Sequence, residues 1–397
     1  MKTKRFIRLL FNANKTYDRQ VIAGVGRYLN TAQCNWEIFL EDDFRTQQTS
    51  LKQWQGDGLI ADLDDPYIEH HIARLNVPVV GIGGSYACAE HYPNVPYVAT
   101  DNRQVIMLAF EHLKSRGLEH FAFYGIPRDP HYRWANEREK AFATVTQQEG
   151  FASHIFHGHI IDSQNWPIAQ QQLCRWLEEL PKPIGIIAVT DSRARHLLQA
   201  CDELSLMVPE RIAIVGIDDE EVARYLTRTS LSSVQQGCQE MGYRAAELLD
   251  KLLASKSLTA SPSRILIPPL TIHARQSSDF QALNDPYVIQ AMHYIRQHAC
   301  HGIKTEQVLD YIGLSRSNLE ARFKLEQGQS IHQTIHHFKL QQACQLLRTT
   351  DISIAQIAYY CGYPSIQYMY AVFKKNFNLT PKKYRNRESI LTSSDVL

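Results

Sequence analysis

The chain has 397 residues, 44% of them hydrophobic, which is more than one small domain needs and enough for several cores. Its charges nearly cancel in total but not along the chain: residues 281 onward hold 13 Lys/Arg against 8 Asp/Glu, and the first 280 hold 29 against 33. A membrane-spanning protein is excluded as a reading, because Met1 to Arg8 is basic and Phe11 to Lys15 turns polar at once, leaving no N-terminal apolar run for a signal peptide or a span. The expectation is a cytoplasmic protein with no membrane partner. Eight cysteines, at 34, 88, 174, 201, 238, 300, 344 and 361, show no C-x-x-C pair and read as reduced core thiols.

In chain order, short β-like runs alternate with helical stretches over the first 280 residues. The expected strands are 7–11, 58–61, 77–81, 97–100, 121–125, 184–189 and 212–216, with helical patterns at 18–29, 103–116 and 192–204. Repeated βα units predict parallel sheets with ligand bound beyond the strands' carboxyl ends. The residues just after the strands are polar: Asn12, Asn14 and Asp18, then Asp101 and Asn102, Asp191, Asp218 and Asp219. Helix N-caps also favour Asp and Asn. Carboxylates, amides and an arginine converging in a cleft would instead make a hydrogen-bond net for a polyhydroxylated ligand, with an aromatic face to stack on a sugar ring.

The order of these motifs decides between the two. Tyr97-Val-Ala-Thr-Asp101-Asn102, Arg138-Glu-Lys-Ala-Phe142, Ala188-Val-Thr-Asp191, Val215-Gly-Ile-Asp218-Asp219 and Leu231-Ser-Ser-Val-Gln-Gln236 resemble, in sequence order, the effector domain of lactose/galactose (LacI/GalR) repressors and periplasmic sugar-binding proteins. The resemblance implies a two-lobe α/β fold of the type I periplasmic-binding-protein kind, and sugar contacts at Asp101, Arg138, Asp191, Asp218 and Gln236. Tyr17, Asp18 and Trp134 join them on position and stacking chemistry. Those repressors carry a helix-turn-helix before this domain. Here the first strand begins at Ile7, so any DNA-reading role falls to the C-terminal part.

Enzyme signals fail on inspection. Gly81-Ile-Gly83-Gly84-Ser85 lacks the G-x-G-x-x-G spacing and the later acidic residue of a dinucleotide site, and reads as a tight turn. His154, His157 and His159, like His332 and His336, lack a carboxylate or thiolate at metal-site spacing. No nucleophile elbow, Walker loop or H-E-x-x-H is present. No catalytic residue, metal or cofactor is assigned.

The modules are expected to divide near Pro268 to Pro286, where Pro268-Pro269, Ser277-Ser278-Asp279 and Asn284-Asp-Pro286 interrupt the periodicity. This gives an effector domain at 1–275, a linker at 276–286, an all-α DNA-binding domain at 287–388 and a tail at 389–397.

In the last module, Ile354, Ile357 and Ala358 recur at helical spacing, Gly362 supplies a turn, and Ser365 caps a second helix with Tyr368, Phe373 and Lys374, before Thr380-Pro381-x-x-Tyr384-Arg385. Val308 to Lys324 repeats the pattern, with Gly313 placed 49 positions before Gly362. Between the copies, Ile335, Phe338, Leu340, Ala343, Leu346 and Leu347 form an apolar stripe suited to a connecting helix. The whole resembles the arabinose-regulator (AraC/XylS) family of bacterial transcription factors over roughly residues 285–388, which implies two helix-turn-helix elements on double-stranded DNA at repeated operator sites. Met369 stands where an aromatic is usual and Asn378 where glycine is usual. Arg316, Ser317, Asn318 and Arg322, with Ser365, Gln367 and Tyr368, are the candidates for facing bases. Lys324, Lys374, Lys375, Lys382, Lys383 and Arg385 are the candidates for phosphates.

Over its full length, and in Leu9 to Lys15 and Tyr17 to Gln20, the chain is similar to bacterial regulators of pentose operons that fuse these two modules. That implies a homodimeric activator, acting with RNA polymerase, that binds D-xylose and switches on xylose uptake and catabolism genes. The residues alone support a sugar-sized, hydroxyl-rich ligand. Another sugar or a sugar phosphate, and repression rather than activation, stay open.

Overall fold

The computed structural model describes residues 3–40, 54–72, 75–86, 88–254 and 263–394. They form two units, Met1–Gln281 and Ala282–Leu397.

The first unit holds two six-stranded sheets. One is built from β1 (Arg5–Leu10), β2 (Trp36–Leu40), β3 (Gly58–Asp62), β4 (Val79–Gly84), β5 (Tyr97–Thr100) and β11 (Arg264–Ile267), in the order β11-β5-β4-β3-β1-β2. The other is built from β6 (Phe121–Gly125), β7 (Ser153–His157), β8 (Ile184–Ala188), β9 (Ile212–Ile217), β10 (Ser232–Gln235) and β12 (Thr271–His273), in the order β12-β10-β9-β8-β6-β7. All pairings are parallel except that of β10 with β12. The central strands β3, β4, β5, β6, β8 and β9 are buried along their whole length, as strands covered by helices on both faces must be.

The chain crosses between the lobes three times, after β5, β10 and β11. The helix Asn102–Ser115 already packs with the second lobe, through Val105, Ile106, Ala109, Phe110 and Leu113 against Phe121 and Phe123. The helix Cys238–Ala254 returns to the first, through Met241, Ala245 and Leu249 against Ile7, Leu9 and Val80. It crosses the helix Thr16–Ala32 so closely that a Cβ on Gly24 would stand 2.0 Å from Gln239 O and one on Gly242 1.9 Å from Val21 O. Only glycine permits that approach.

The expected strands are present with ends moved by a few residues. Strands β2, β7, β10, β11 and β12 were not foreseen: four are half-exposed with too little apolar signal, and β10, though mostly buried, reads Ser-Ser-Val-Gln. The Gly81–Ser85 run is corrected from a turn: Gly81, Gly83 and Gly84 lie within β4. The linker is corrected as well. Ser277 Oγ donates to Ile214 O over 2.7 Å, Ser278 Oγ bonds Ser232 Oγ over 2.7 Å, and Phe280 joins the second lobe's core, so 276–280 belong to the first unit. Pro286 already opens a helix. The cysteine expectation holds for 174, 201, 238, 344 and 361; Cys88 is exposed, and Cys34 and Cys300 are partly so.

The second unit is helical: Pro286–His298, Thr305–Ile312, Arg316–Gln327, Ile331–Thr349, Ile354–Tyr360, Ile366–Phe377 and Pro381–Ser394. Left-handed residues stop four of these helices or start the turn after them, Gly313 at φ 73°, Gly328 at φ 68°, Gly362 at φ 64° and Asn378 at φ 55°. Ser330 and Ser353 make capping boxes with Gln333 and Gln356. Each half has its own core, one around Val308, Leu319, Phe323 and Ile335, the other around Leu347, Ile357, Met369 and Phe373.

Candidate ligand cavity and nucleic-acid interface

A cavity of about 300 Å³ lies between the two lobes, at the carboxyl ends of their strands. The first lobe contributes Asn14 to Asp18 after β1, Asp62 and Asp64 at the end of β3, Gly84 of β4 and Thr100 of β5. The second contributes Trp134 and Arg138 from the helix Arg133–Gln148, Thr190 and Ser192 after β8, and Asp218 and Glu220 after β9. Asn102 and Gln236 come from two of the crossovers.

Arg138 organises the second lobe's side. Its Nε donates to Asn102 Oδ1 over 2.9 Å and a terminal nitrogen to Val189 O over 2.6 Å, with Trp134's ring 5.0 Å away. Gln236 Nε2 donates to Asp218 Oδ1 over 2.6 Å. Asp218 is held at φ 117°, a conformation that a side chain adopts only when its surroundings force it, and Asp219 follows at φ 50° in the left-handed region that Asp tolerates. Burial pushes Asp218's carboxyl up to about 6, against the pull of Arg138 and Gln236. Burial pushes the Arg138 guanidinium down, although Asp218 opposes it.

The first lobe's side is acidic. Asp18 accepts from Asn12 N over 2.6 Å, and burial together with the neighbouring Asp62 raises its carboxyl well above the usual carboxylate range, against Lys15. Asp64 is raised too, by burial and then by Asp62, although Arg133 bonds it over 2.5 Å and Gly84 N donates over 2.8 Å. Lys15 Nζ stands 3.6 Å from Asp62 Oδ2; burial works against its charge, but Asp62 and Asp18 raise it on balance. Three cavity atoms are buried with no hydrogen-bond partner: Asp18 Oδ1, Asn102 Nδ2 and Gln236 Oε1. Buried polar atoms left unmet are costly, and two acceptors and one donor on residues that line one cavity fit a ligand bearing several hydroxyls.

In the second unit, Arg316, Ser317 and Asn318 are exposed at the start of Arg316–Gln327, and Gln367 and Tyr368 at the start of Ile366–Phe377. Leu319 and Phe323, and Met369 and Phe373, anchor the opposite faces of these two helices. Lys324, Lys374, Lys375, Lys382 and Lys383 are exposed. The N-terminal ends of two second helices of helix-turn-helix elements, presented to solvent with side chains that can read base edges, match a major-groove reader.

A helix-turn-helix domain model matches residues 308–387, a periplasmic binding protein-like domain model residues 110–278, and a XylR N-terminal domain model residues 6–103. The xylose operon regulatory protein of Escherichia coli strain K12 is 53% identical over 98% of this chain and 99% of that protein. The chain belongs to the xylose operon regulatory protein family. The family's member from Haemophilus influenzae strain Rd is 51% identical, over 96% of this chain and 97% of that protein. A solved structure of the xylose-binding transcription activator xylR is similar at a TM-score of 0.87 and 52% identity, covering 97% of this chain and 98% of that one. A LacI family regulator from Mycobacterium smegmatis, 20% identical with a TM-score of 0.54 over 69% of this chain and 98% of that one, shares the fold of the first unit.

As a member of the xylose operon regulatory family, the chain is a sugar-responsive DNA-binding transcription activator. Within that frame several sequence expectations are corrected. Asp101 does not line the cavity: it caps the helix Asn102–Ser115, accepting from Gln104 N over 2.9 Å and Gln104 Nε2 over 2.8 Å, and Asn102 takes its place. Asp191 is also turned away, accepting from Glu220 N over 2.7 Å and Ser233 Oγ over 2.6 Å, so it braces the strand ends behind Asp218. Arg138, Asp218, Gln236, Tyr17, Asp18 and Trp134 do line the cavity. Asp62 and Asp64 were missed, although they end a strand and so obey the rule that selected Asp218.

Three of the DNA-facing candidates also bond within the protein. Arg322 donates to Asp285 Oδ2 over 2.7 Å and to Asn318 Oδ1 over 2.6 Å, securing the N-cap of Pro286–His298. Ser365 Oγ accepts from Tyr368 N over 3.1 Å as a cap. Arg385 donates to Ile352 O over 2.7 Å. These three side chains hold the fold in place.

Proposed function

We propose that this chain is a D-xylose-responsive activator of xylose uptake and catabolism operons, binding the sugar between its two lobes and DNA through its C-terminal helix-turn-helix pair. The observation that carries the sugar part is that Asp18, Asn102 and Gln236, each with a buried and unbonded polar atom, line one cavity together with Arg138 and Asp218. Arg138, Asp218, Gln236, Asp18, Asn102, Asp62 and Asp64 are its polar contacts, and Tyr17 and Trp134 its aromatic faces. The relatives named for xylose support the choice of pentose.

Charge argues against a sugar phosphate. Even with Asp18 left out because its carboxyl is raised, Asp62, Asp64, Asp218 and Glu220 line the cavity against Lys15 and Arg138, and a phosphate dianion would meet net repulsion there. A neutral polyol, whose hydroxyls donate to carboxylates, meets none.

On the DNA side, Arg316, Ser317, Asn318, Gln367 and Tyr368 face bases, and Lys324, Lys374, Lys375, Lys382 and Lys383 face phosphates. Two recognition helices per chain would enter successive major grooves, about 34 Å apart, and a homodimer would read a repeated operator. The protein works in the cytoplasm, contacts RNA polymerase, and has no catalytic role. Sugar and DNA affinities are coupled reciprocally, so any factor by which sugar tightens DNA binding also tightens sugar binding on DNA.

The test is calorimetric titration of the full chain with D-xylose, L-arabinose, D-ribose and D-glucose, followed by operator binding with and without the sugar that binds. Selective xylose binding that strengthens operator binding is expected. Silence with xylose beside binding of another sugar would overturn the xylose assignment.

A further inference from the structure

We propose that Cys300 and Cys361 form an oxidisable dithiol at the joint between the two helix-turn-helix halves, which a peroxide converts into an intramolecular disulfide.

The joint is built by backbone contact. Cys300 sits in the single turn Ala299–His301, which ends at Gly302 (φ 80°), just before the first helix-turn-helix. Cys361 closes the first helix of the second, its N–H bonding Ile357 O. A Cβ on Gly362 would stand 2.5 Å from Cys300 O and 2.6 Å from Gly302 N, so the two turns touch with no room for a side chain between them. Cys300 and Cys361 flank this seam, and each acts on the other's thiol. Lys339, only 6% exposed, comes up from the connecting helix and donates to Gly362 O over 3.0 Å, placing an ammonium at the seam whose charge both thiols feel.

The two thiols differ in the way an attacking and a resolving cysteine must. Cys300 is partly exposed, and the hydrogen bond from Cys361 lowers its thiol, with Lys339 helping against the effect of burial. Cys361 is fully buried, and the same hydrogen bond together with burial raises it. A thiol that solvent can reach, beside a second, buried thiol and near a cation, is the arrangement found in oxidation-sensitive pairs.

The chemistry balances with hydrogen peroxide as the oxidant. The Cys300 thiolate attacks one peroxide oxygen, the O–O bond breaks, and hydroxide leaves, giving a sulfenic acid. The Cys361 sulfur, losing its proton, then attacks the Cys300 sulfur; the S–O bond breaks and water leaves. Two thiols and one peroxide become one disulfide and two waters. Because the turns already touch, the bond needs little backbone movement.

The experiment is treatment of the full chain with limiting hydrogen peroxide, followed by alkylation and peptide mass mapping without reductant. A Cys300–Cys361 linked peptide that dithiothreitol removes is expected, forming at least about ten-fold faster than any linkage involving Cys174 or Cys201, whose thiols burial raises. In Cys361→Ala, Cys300 should instead accumulate as a sulfenic acid trapped by dimedone, and Cys300→Ser should abolish both products while its circular dichroism stays that of the parent. Recovery of Cys300 and Cys361 as free thiols while Cys88 is oxidised would overturn the proposal. So would a linkage to Cys344, or over-oxidation of Cys300 with no linkage.

Discussion

Gln236 Nε2 reaches Asp218 Oδ1 over 2.6 Å, joining a crossover between the lobes to the end of β9. Gln236, which lines the cavity, has its own Oε1 left buried and unbonded. Gln236 thus fixes the direction of the Asp218 carboxylate while keeping an acceptor for ligand, and Asp218 holds its place at a backbone angle of φ 117°. A residue carrying both strain and burial at a cavity wall is a candidate ligand contact rather than a stabiliser of the empty fold.

Replacing Asp218 with Ala is expected to weaken sugar binding by about 1.5 to 3 kcal/mol, the usual contribution of hydrogen bonds to a charged group. DNA affinity in the absence of sugar should stay at the parent's value. Titration calorimetry and an operator-binding assay measure the two quantities separately. Unchanged sugar affinity would remove Asp218 from the site.

The raised carboxyl of Asp218, about 6, gives a pH dependence with a definite sign. Below pH 6 the group takes up a proton and can no longer accept from two sugar hydroxyls, so sugar affinity should fall as pH is lowered from 7.5 to 5. Binding near pH 6 should release protons, seen as a binding heat that varies with the buffer's ionisation enthalpy. Folding stability runs the other way. The folded chain holds this proton more tightly than the unfolded one, whose carboxyl titrates near 3.8, so Asp218 makes stability fall as pH rises between about 4 and 6 and then level off. Thermal melts of the sugar-free protein and of Asp218→Asn across that window should diverge, with the variant flatter.

Arg316→Ala and Arg322→Ala separate reading DNA from holding the fold. Arg316 is exposed and its bond to Glu306 is a long 3.3 Å, so its loss should weaken operator binding by about 1 to 3 kcal/mol if it pairs with a base edge, leaving the melting temperature and sugar affinity unchanged. Arg322 is tied to Asp285, whose carboxyl its hydrogen bond helps hold below the usual range although burial works against it. Its replacement should lower the melting temperature of the helical unit first, and DNA affinity only through that. Equal losses of stability in the two variants would overturn the distinction.

Much of this was legible in the sequence for identifiable reasons. Strands β3, β5, β6, β8 and β9 are short apolar runs ended by polar residues, and the glycine-to-cap spacing around Gly313 and Gly362 repeats. The edge strands were hidden because a half-exposed strand such as Trp36–Leu40 alternates weakly. Within the cavity, sequence order located Arg138, Asp218 and Gln236. It misplaced Asp101 and Asp191 because an Asp after a strand can turn inward to the ligand or back to cap a helix and brace a loop, and only the neighbours in space, Gln104 for one and Ser233 for the other, decide which. The bond that Arg322 makes was not legible for a related reason: its partner Asp285 is 37 residues away and carries no sequence signal.

The last prediction concerns the two turn glycines, which the sequence repeat presents as equivalent and the structure does not. Gly313 and Gly362 both have positive φ, 73° and 64°. A Cβ at Gly313 meets nothing within 4 Å, so Gly313→Ala should cost only the left-handed backbone penalty, about 1 to 2 kcal/mol. A Cβ at Gly362 would lie 2.5 Å from Cys300 O, a backbone atom that cannot swing aside. Gly362→Ala must therefore separate the two turns and lengthen or break the bond from Lys339 to Gly362 O as well, leaving a buried ammonium without its acceptor. Its cost should exceed that of Gly313→Ala by at least about 2 kcal/mol in denaturant unfolding of the helical unit, with operator binding lost and sugar binding by the first unit retained. Equal destabilisation by the two alanines would show that the turns are not pressed together in solution.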